Sequence, residues 1–395
     1  MLAFITGAKA QVTTNINFPH DDKIVQGCIT IPAGQGPFPA IVIAPGSGAM
    51  DRDGTISMGS NVQCLHPGLV GQTLRPYKDL GDALAAAGYV VLRYNKLEYT
   101  YSQNLGAISF NKLWLPFESA IEYVRKRPEV DSASIILIGH SEGSTLIPLV
   151  AKSRSDIRAL ISIGGARTPF DSVLCRQLTE FTAKCGGNMQ QAKNDSSYIQ
   201  AYFNNVRAGN FSASTPALFG VSAAVWSDYV AATDPVVQHY NDCFLPTLFV
   251  GLANDINVPP SELLRFQNEI TVPADFWSVP GTNHYMTYSA TPTIAKAVPD
   301  TIIYWLSKLN LVTGTARQKS DQGMGVYPNP VQNRVEVAVP GPGWIRISDV
   351  TGREIEKHRC NSKKNTIDLG GLAPGVYLLR YDGSRSSAIS RLVKS

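Results

Sequence analysis

The stretch Ile135-Ile-Leu-Ile-Gly-His-Ser-Glu-Gly143 constrains this chain more than any other. Four branched apolar residues in a row read as a strand buried on both faces. Ser144–Ser153 reads as a helix, so the Gly-x-Ser-x-Gly between them must be a tight strand-to-helix turn. Glycines flank the serine because bulkier side chains would collide with the neighbouring elements. Such a turn lifts the Ser141 hydroxyl above the sheet at a helix N-terminus, where the dipole favours developing negative charge. The five-residue string alone says little, and its plain alternative is an ordinary glycine-rich turn. The strand before it and the helix after it make it specific.

The rest of the first 310 residues fits around that unit. Strands are expected at Ile24–Ile31, Ala40–Ala44, Tyr89–Tyr94, Ser134–Ile138, Ala159–Ile163, Thr247–Gly251 and Ala274–Val279. Helices are expected at Tyr77–Ala87, Pro116–Lys126, Ser144–Ser153, Pro260–Glu269 and Ile294–Leu309. Alternation of this kind predicts an α/β fold with a mostly parallel central sheet covered on both faces. Between Gly165 and Phe244 the alternation lapses into a Ser-, Asn-, Ala- and aromatic-rich stretch too long for a plain connection, which predicts a helical cap at about 165–244. Residues 311–325 turn polar and read as a linker. Beyond it, Arg334–Val339, Trp344–Asp349, Asn365–Leu369, Gly375–Tyr381 and Ala388–Val393, punctuated by Gly and Pro, predict a small all-β sandwich over 326–395.

Composition narrows the partners. Thirty-five basic and 31 acidic residues give a net charge of +4 with no basic block, which argues against nucleic acid. No apolar run reaches the roughly 18–20 residues that span a bilayer. Charged residues are 17% of the chain, a low share that suits a secreted surface built from Ser, Thr, Asn and Gly. Residues 1–10 carry a short apolar run ending in Ala8-Lys9-Ala10, a signal-peptidase-like pattern that lacks the usual basic start, and are read as a truncated leader, with an ordinary exposed N-terminus as the alternative. Six cysteines form no Cys-x-x-Cys pair and no zinc spacing. In an exported chain Cys175 and Cys185 are candidates to close a short loop; the alternative is two small buried side chains.

A serine nucleophile needs a base, and the base needs an orienting acid. His20 and His66 precede Ser141, His140 lies inside the turn, His239 comes before the next core strand, and His358 belongs to the C-terminal module. His284, directly after the last core strand, remains. Asp255 follows the strand Thr247–Gly251, at the strand end where chemistry gathers in open α/β sheets. Asp228 and Asp234, in or near the cap, are the runners-up, and a turn-forming role is the plain alternative for Asp255. The oxyanion of an acyl-transfer intermediate needs the N–H after the nucleophile, here Glu142, and another from the loop after an early strand. Pro45-Gly-Ser-Gly48 offers Ser47, with Gly48 beside it. Asp51-Arg-Asp-Gly54 reads as a solvated turn with a local ion pair.

The stretches Pro45–Gly54, Leu92-Arg-Tyr94, Gly139–Gly143, Asp255-x-x-Val-Pro259 and Asn283-His284, in that order, resemble the α/β-hydrolases, in particular bacterial serine esterases related to prolyl-oligopeptidase-type peptidases and acyl-CoA thioesterases. The resemblance spans about residues 20–310. It implies ester hydrolysis through an acyl-enzyme, with Ser141, Asp255 and His284 at the triad positions. After Leu-Arg-Tyr this chain departs from the usual Asp/Arg/Gly-rich turn with Asn95-Lys-Leu-Glu-Tyr-Thr-Tyr101, which puts Tyr99 and Tyr101 near the expected site rim. Residues 326–395, with Tyr327-Pro-Asn-Pro330, Ile347-Ser-Asp-Val-Thr-Gly352 and Leu372-Ala-Pro-Gly-Val-Tyr377, look like the C-terminal sorting domain of the type IX (Por) secretion system. That resemblance implies export through the periplasm and outer membrane, to the medium or the cell surface. A carbohydrate-binding β-module is the alternative.

Three functions are compatible with these residues. A secreted serine ester hydrolase leads, a serine peptidase using the same triad follows, and a non-catalytic scaffold is third. No propeller-like repeats precede the hydrolase unit to restrict access, which counts against the peptidase. Nothing in the sequence asks for a metal or an organic cofactor. The cap aromatics Tyr198, Tyr202, Phe203, Phe211, Phe219, Trp226 and Tyr229 could line an acyl pocket, although their helical spacing equally suits core packing.

Overall fold

The computed structural model describes residues 10–102, 104–309, 324–327, 331–339, 341–349, 353–383 and 387–394. The expected leader and linker lie almost wholly outside these residues, as do the turns at 328–330 and 350–352. The chain divides into two compact units, Met1–Gly314 and Thr315–Ser395.

In the first unit eight strands form one sheet: β1 (Val12–His20), β2 (Lys23–Ile31), β3 (Phe38–Ala44), β4 (Val90–Tyr94), β5 (Val130–His140), β6 (Ile157–Ile163), β7 (Thr247–Leu252) and β8 (Ala274–Val279). Their spatial order is β1-β2-β4-β3-β5-β6-β7-β8. β2 pairs antiparallel with β1 and β4; β4, β3 and β5 to β8 run parallel. This is the α/β-hydrolase fold. Successive residues of a strand face opposite sides. Val42, Leu92, Leu137 and Phe249 accordingly join a core with helices Pro116–Val124 and Gly143–Ala151. Ile43, Val91, Ile138 and Val250 join a second core with helices Pro76–Ala86 and Ala297–Lys308. Because β5, β7 and β8 are parallel, the loops that follow them leave the sheet at one edge, and those loops carry Ser141, Asp255 and His284. Among the described residues no helix is long and apolar enough to cross a membrane.

β1 is absent from the strands expected from sequence. It is an edge strand with only Ile16, Phe18 and His20 buried, and its Thr- and Asn-rich outer face hides the apolar period. Four helices lie between β6 and β7: Phe170–Cys185, Met189–Arg207, Ala223–Thr233 and Val236–Cys243. After β3 a long excursion forms a two-stranded ribbon, Ile56–Ser57 with Thr73–Leu74, over a small core of Met58, Leu69 and Leu74.

The cysteine expectation is corrected. Cys175 and Cys185 sit on one helix, ten residues apart, and therefore about 15 Å along its axis, too far to bridge. Cys185 is instead bonded to Cys64 in the excursion after β3, with Cα atoms 5.2 Å apart. Cys175 is a buried thiol that donates to the Ser196 carbonyl at 3.4 Å.

The second unit has a three-stranded sheet (Gly325–Tyr327, Arg334–Ala338, Lys364–Asp368) and a four-stranded one (Glu354–Cys360, Gly343–Ser348, Gly375–Gly383, Ser387–Lys394). They share a core that includes Val335, Val337, Ile345, Ile347, Ile367 and Leu379. Glu354–Cys360, not expected from sequence, is an edge strand with charged residues at four of its seven positions, Glu354, Glu356, Lys357 and Arg359. Tyr377 packs into the core and donates its hydroxyl to the Ala373 carbonyl at 2.7 Å.

The 64–185 bridge closes a loop of 121 residues. Cys64→Ser should therefore lower stability by about 2–5 kcal/mol. Thermal unfolding with and without reductant checks this, and Cys175→Ser should leave the reductant-sensitive shift intact. Equal melting temperatures for wild type, Cys64→Ser and reduced wild type would contradict the bridge's structural role.

Candidate active site

The turn after β5 has no spare volume. A Cβ on Gly139 would overlap the Gly143 carbonyl, and one on Gly143 would overlap the Ala44 carbonyl of β3. Ser141 itself takes a left-handed backbone, φ 52°, which a serine adopts only where its surroundings hold it. Its N–H donates to the Ile163 carbonyl of β6 at 2.9 Å. The hydroxyl-bearing residue is thus held by strand β6 on one side and by the helix Gly143–Ala151 on the other.

Asp255 and His284 come together from neighbouring strand ends, with His284 Nδ1 2.7 Å from Asp255 Oδ2 and both side chains buried. A carboxylate oxygen accepts, so Nδ1 carries the proton and Nε2 is left as the basic nitrogen. Asp255 Oδ1 accepts from the N–H groups of Asn257 and Val258 at 2.7 and 2.8 Å. The turn-forming role and the imidazole-orienting position therefore belong to the same carboxylate. The Asn254 N–H donates to the Thr282 carbonyl at 2.8 Å and links the two loops. Asn283 Oδ1 accepts from the N–H groups of Tyr285 and Thr287 and fixes the loop around His284. Of the runner-up acids, Asp234 is paired with Arg207 and Asp228 is exposed on the cap.

His140 plays a part that sequence elimination missed. Its Nε2 lies 2.9 Å from the His284 carbonyl, which can only accept, so Nδ1 accepts from the Tyr77 hydroxyl at 2.9 Å. Tyr77 Oη in turn accepts from the Gly46 N–H at 2.9 Å. One chain of hydrogen bonds joins the loop after β3, the serine turn and the His284 loop. Burial, with His284 adding to it, pushes the His140 pKa down to about 3, which keeps the ring neutral as this bonding requires.

A cavity of about 130 Å³ opens at Ser141. Ser47 and Glu142 line it beside the serine, Ala166–Phe170 form one wall, and Val173, Leu174 and Gln177 come from the first cap helix. Tyr229, Thr233 and Val236 close it from the later cap helices. Gly48, exposed and at φ 86°, is not among its lining residues. Of the cap aromatics expected to line a pocket, Tyr229 alone does so among the described residues. Tyr202, Phe203 and Trp226 pack in the core, while Tyr198 and Phe219 are 56% and 58% exposed. Phe170 lines the cavity and stacks on Trp226, with ring centroids 5.6 Å apart. Tyr99 is exposed, and Tyr101 bonds the backbone of Ile24 on β2, so neither borders the cavity. From that same departure it is Lys96 that enters the site, where its Nζ lies 3.3 Å from Glu142 Oε2.

The turn Asp51–Gly54 is more than a solvated surface feature. Asp53 pairs with the buried Arg93 of β4, not with Arg52, whose guanidinium donates to the Gly27 carbonyl at 2.9 Å. Asn95 Oδ1 accepts from the Arg52 N–H at 2.8 Å. The loop bearing Ser47 is thereby anchored to β2 and β4.

Comparison with known proteins places these observations. Residues 116–223 match the family model described as BAAT / Acyl-CoA thioester hydrolase C terminal, and residues 325–395 match the Secretion system C-terminal sorting domain. Over 166 residues the chain is 33% identical to Esterase EstD of Thermotoga maritima, an alignment spanning 41% of this chain and 36% of that protein. The chain thus aligns with about a third of the length of this curated relative. Among solved structures, Est1E from Butyrivibrio proteoclasticus, bound to ferulic acid, has a TM-score of 0.47 and 16% identity, covering 75% of this chain and 100% of that one. The acylaminoacyl peptidase of Pyrococcus horikoshii has a TM-score of 0.48 and 12% identity, covering 80% of this chain and 44% of that one. The chain is an α/β-hydrolase by fold and carries a secretion-system sorting domain at its C-terminal end.

The neutral His140 generates a pH dependence. Between about 6.5 and about 3 the unfolded chain binds a proton at this residue that the folded chain refuses, so stability falls as pH drops through that window. Burial pushes His66 and His239 in the same direction. The denaturant midpoint should decrease from pH 7 to pH 4, and His140→Gln should flatten part of that slope. An unaltered slope in the variant would contradict the neutral buried imidazole.

Proposed function

We propose that this chain is an exported serine hydrolase that cleaves carboxylic esters through an acyl-enzyme. The observation that carries the reading is the buried 2.7 Å pair of Asp255 and His284, at the same sheet edge as a left-handed serine that opens onto a cavity. The 33% identity to an esterase over 166 residues and the match to an acyl thioester hydrolase domain support acyl transfer as the chemistry.

In this mechanism Ser141 Oγ attacks the ester carbonyl and His284 Nε2 takes its proton, while Asp255 holds the imidazole in the tautomer with Nδ1–H and stabilises the imidazolium. The carbonyl electrons move onto oxygen, where the N–H groups of Ser47 and Glu142, with Gly48 beside them, receive the charge; a donor of this kind contributes about 3–4 kcal/mol. The tetrahedral intermediate collapses, His284 returns the proton to the leaving alcohol, and the acyl group stays on Ser141. A water deprotonated by His284 then attacks the acyl-enzyme and releases the acid. A cavity of about 130 Å³ is close in size to one that accommodates a benzene ring, which suits a small acyl group.

Residues 11–310 form the catalytic domain in this reading, and residues 326–395, joined through 311–325, form the sorting domain that the type IX machinery recognises. The match over 325–395 supports that division. The product of the pathway is a secreted or cell-surface enzyme. Deleting residues 326–395 should retain active enzyme inside the producing cell, and undiminished appearance in the medium or at the surface would contradict the sorting role.

Ser141→Ala and His284→Ala should each lower turnover of p-nitrophenyl esters by about 10⁴-fold or more while the protein stays folded. A fluorophosphonate should label Ser141 in the wild type. Full activity in Ser141→Ala would overturn the mechanism, a preference for aminoacyl anilides over esters would make the protein a peptidase, and a folded, unlabelled and inactive wild type would make it a binding scaffold.

A further inference from the structure

Lys96 is a buried lysine, 4% exposed, directly after β4, and the ester-cleavage steps above make no use of it. Its Nζ lies 3.3 Å from the Gly46 carbonyl oxygen, 3.3 Å from Glu142 Oε2 and 3.6 Å from Glu98 Oε1. Its own N–H donates to the Met50 carbonyl at 2.9 Å, so backbone and side chain both grip the loop after β3. We infer that Lys96 is a positioning residue whose ammonium group orients, through Gly46 and Glu142, the two N–H groups that bind the oxyanion. The inference rests on the serine-hydrolase reading and names a component that reading does not contain.

The first arm of the argument is peptide geometry. The Gly46 C=O and the Ser47 N–H are opposite ends of one planar trans peptide, so a charge that fixes the carbonyl fixes the direction of the N–H. An ammonium on the carbonyl oxygen also polarises that peptide and strengthens its donor. Gly46 is held from the other side as well, since its N–H donates to Tyr77 Oη at 2.9 Å. A Cβ there would come 3.2 Å from Ser141 Cβ, so the Gly46 backbone lies directly against the nucleophile.

The second arm is electrostatic. Glu142 follows the nucleophile, and its side chain is only 6% exposed. Its Oε1 accepts from Trp114 Nε1 and from the Tyr229 hydroxyl, each at 3.1 Å, and Oε2 faces Lys96. An uncompensated buried carboxylate at this point would repel the negative charge that forms on the substrate oxygen. Lys96 offsets it. Desolvation works against the lysine's charge, but Glu142 and Glu98 outweigh it and hold its pKa above the ordinary lysine value. Burial pushes the Glu98 carboxyl up.

The test compares wild type, Lys96→Met and the double variant Lys96→Met/Glu142→Gln, which leaves no lone carboxylate at position 142. The readouts are ester kinetics and inhibition by a trifluoromethyl ketone, which forms an oxyanion on Ser141. Both variants should lose about 10- to 100-fold in kcat and in ketone affinity together, with KM within twofold. If Lys96→Met does not fold, the double variant carries the comparison. A folded double variant with wild-type kcat, or a loss confined to KM with ketone affinity unchanged, overturns the role of Lys96. A wild type that neither turns over esters nor reacts with a fluorophosphonate overturns the hydrolase reading itself, and this inference with it.

Discussion

Between β5 and the helix Gly143–Ala151 the chain reverses direction within a few residues, and it can do so because two of them have no Cβ and a third accepts a left-handed backbone. Ala44 of β3 and Ile163 of β6 press on this turn from both sides. Its position is therefore a property of the central sheet and not of the loop. The strain of one serine at positive φ is small beside the apolar burial of the flanking strands, whose residues are almost all inaccessible to solvent. A rigid sheet thus supports a side chain in a conformation that an isolated peptide would abandon.

Two buried ionisable groupings flank that serine. On one side are Asp255 and His284, held by turn N–H groups and by the Asn283 side chain. On the other are Lys96 and Glu142, with Trp114 and Tyr229 meeting the remaining carboxylate oxygen. Burying charges is expensive, and an apolar substitute is often at least as stable, so such groupings are a poor explanation of stability. What they supply is fixed geometry. Asp255 is held by His284 Nδ1 and two N–H groups, and Glu142 by Lys96, Trp114 and Tyr229, so a displaced loop would leave a charge unpaired. The neutral His140 links the two sides through Tyr77 and the His284 carbonyl.

Much of the framework was legible because several parallel strands, such as β3 and β7, are continuous runs buried on both faces, and all seven of the strands expected in the first unit are present. The serine turn was legible because its glycines are demanded by contact, and the pairing of Asp255 with His284 because few acids and histidines stand at strand ends in the right order. Legibility failed where signal depends on tertiary context. β1 and Glu354–Cys360 are edge strands whose polar faces mask the apolar period. Lys96 looks like any surface lysine in sequence, and only the fold reveals that it is enclosed. The cap aromatics were ambiguous in principle, because a helix face toward a cavity and one toward the core have the same spacing; most of them turned to the core. The partner of Cys185 lay 121 residues away, beyond the reach of local pattern.

That bridge has a topological consequence. The segment from Cys64 to Cys185 contains β4, β5, β6, the serine turn and the first cap helix, and the bond makes this segment a closed covalent ring. A single backbone cut anywhere within the ring leaves the two pieces attached to each other. The ring can close only once the ribbon after β3 has met the end of the cap helix, so oxidation records that these distant parts have found one another. In an oxidising compartment the chain then keeps a written trace of its own correct assembly.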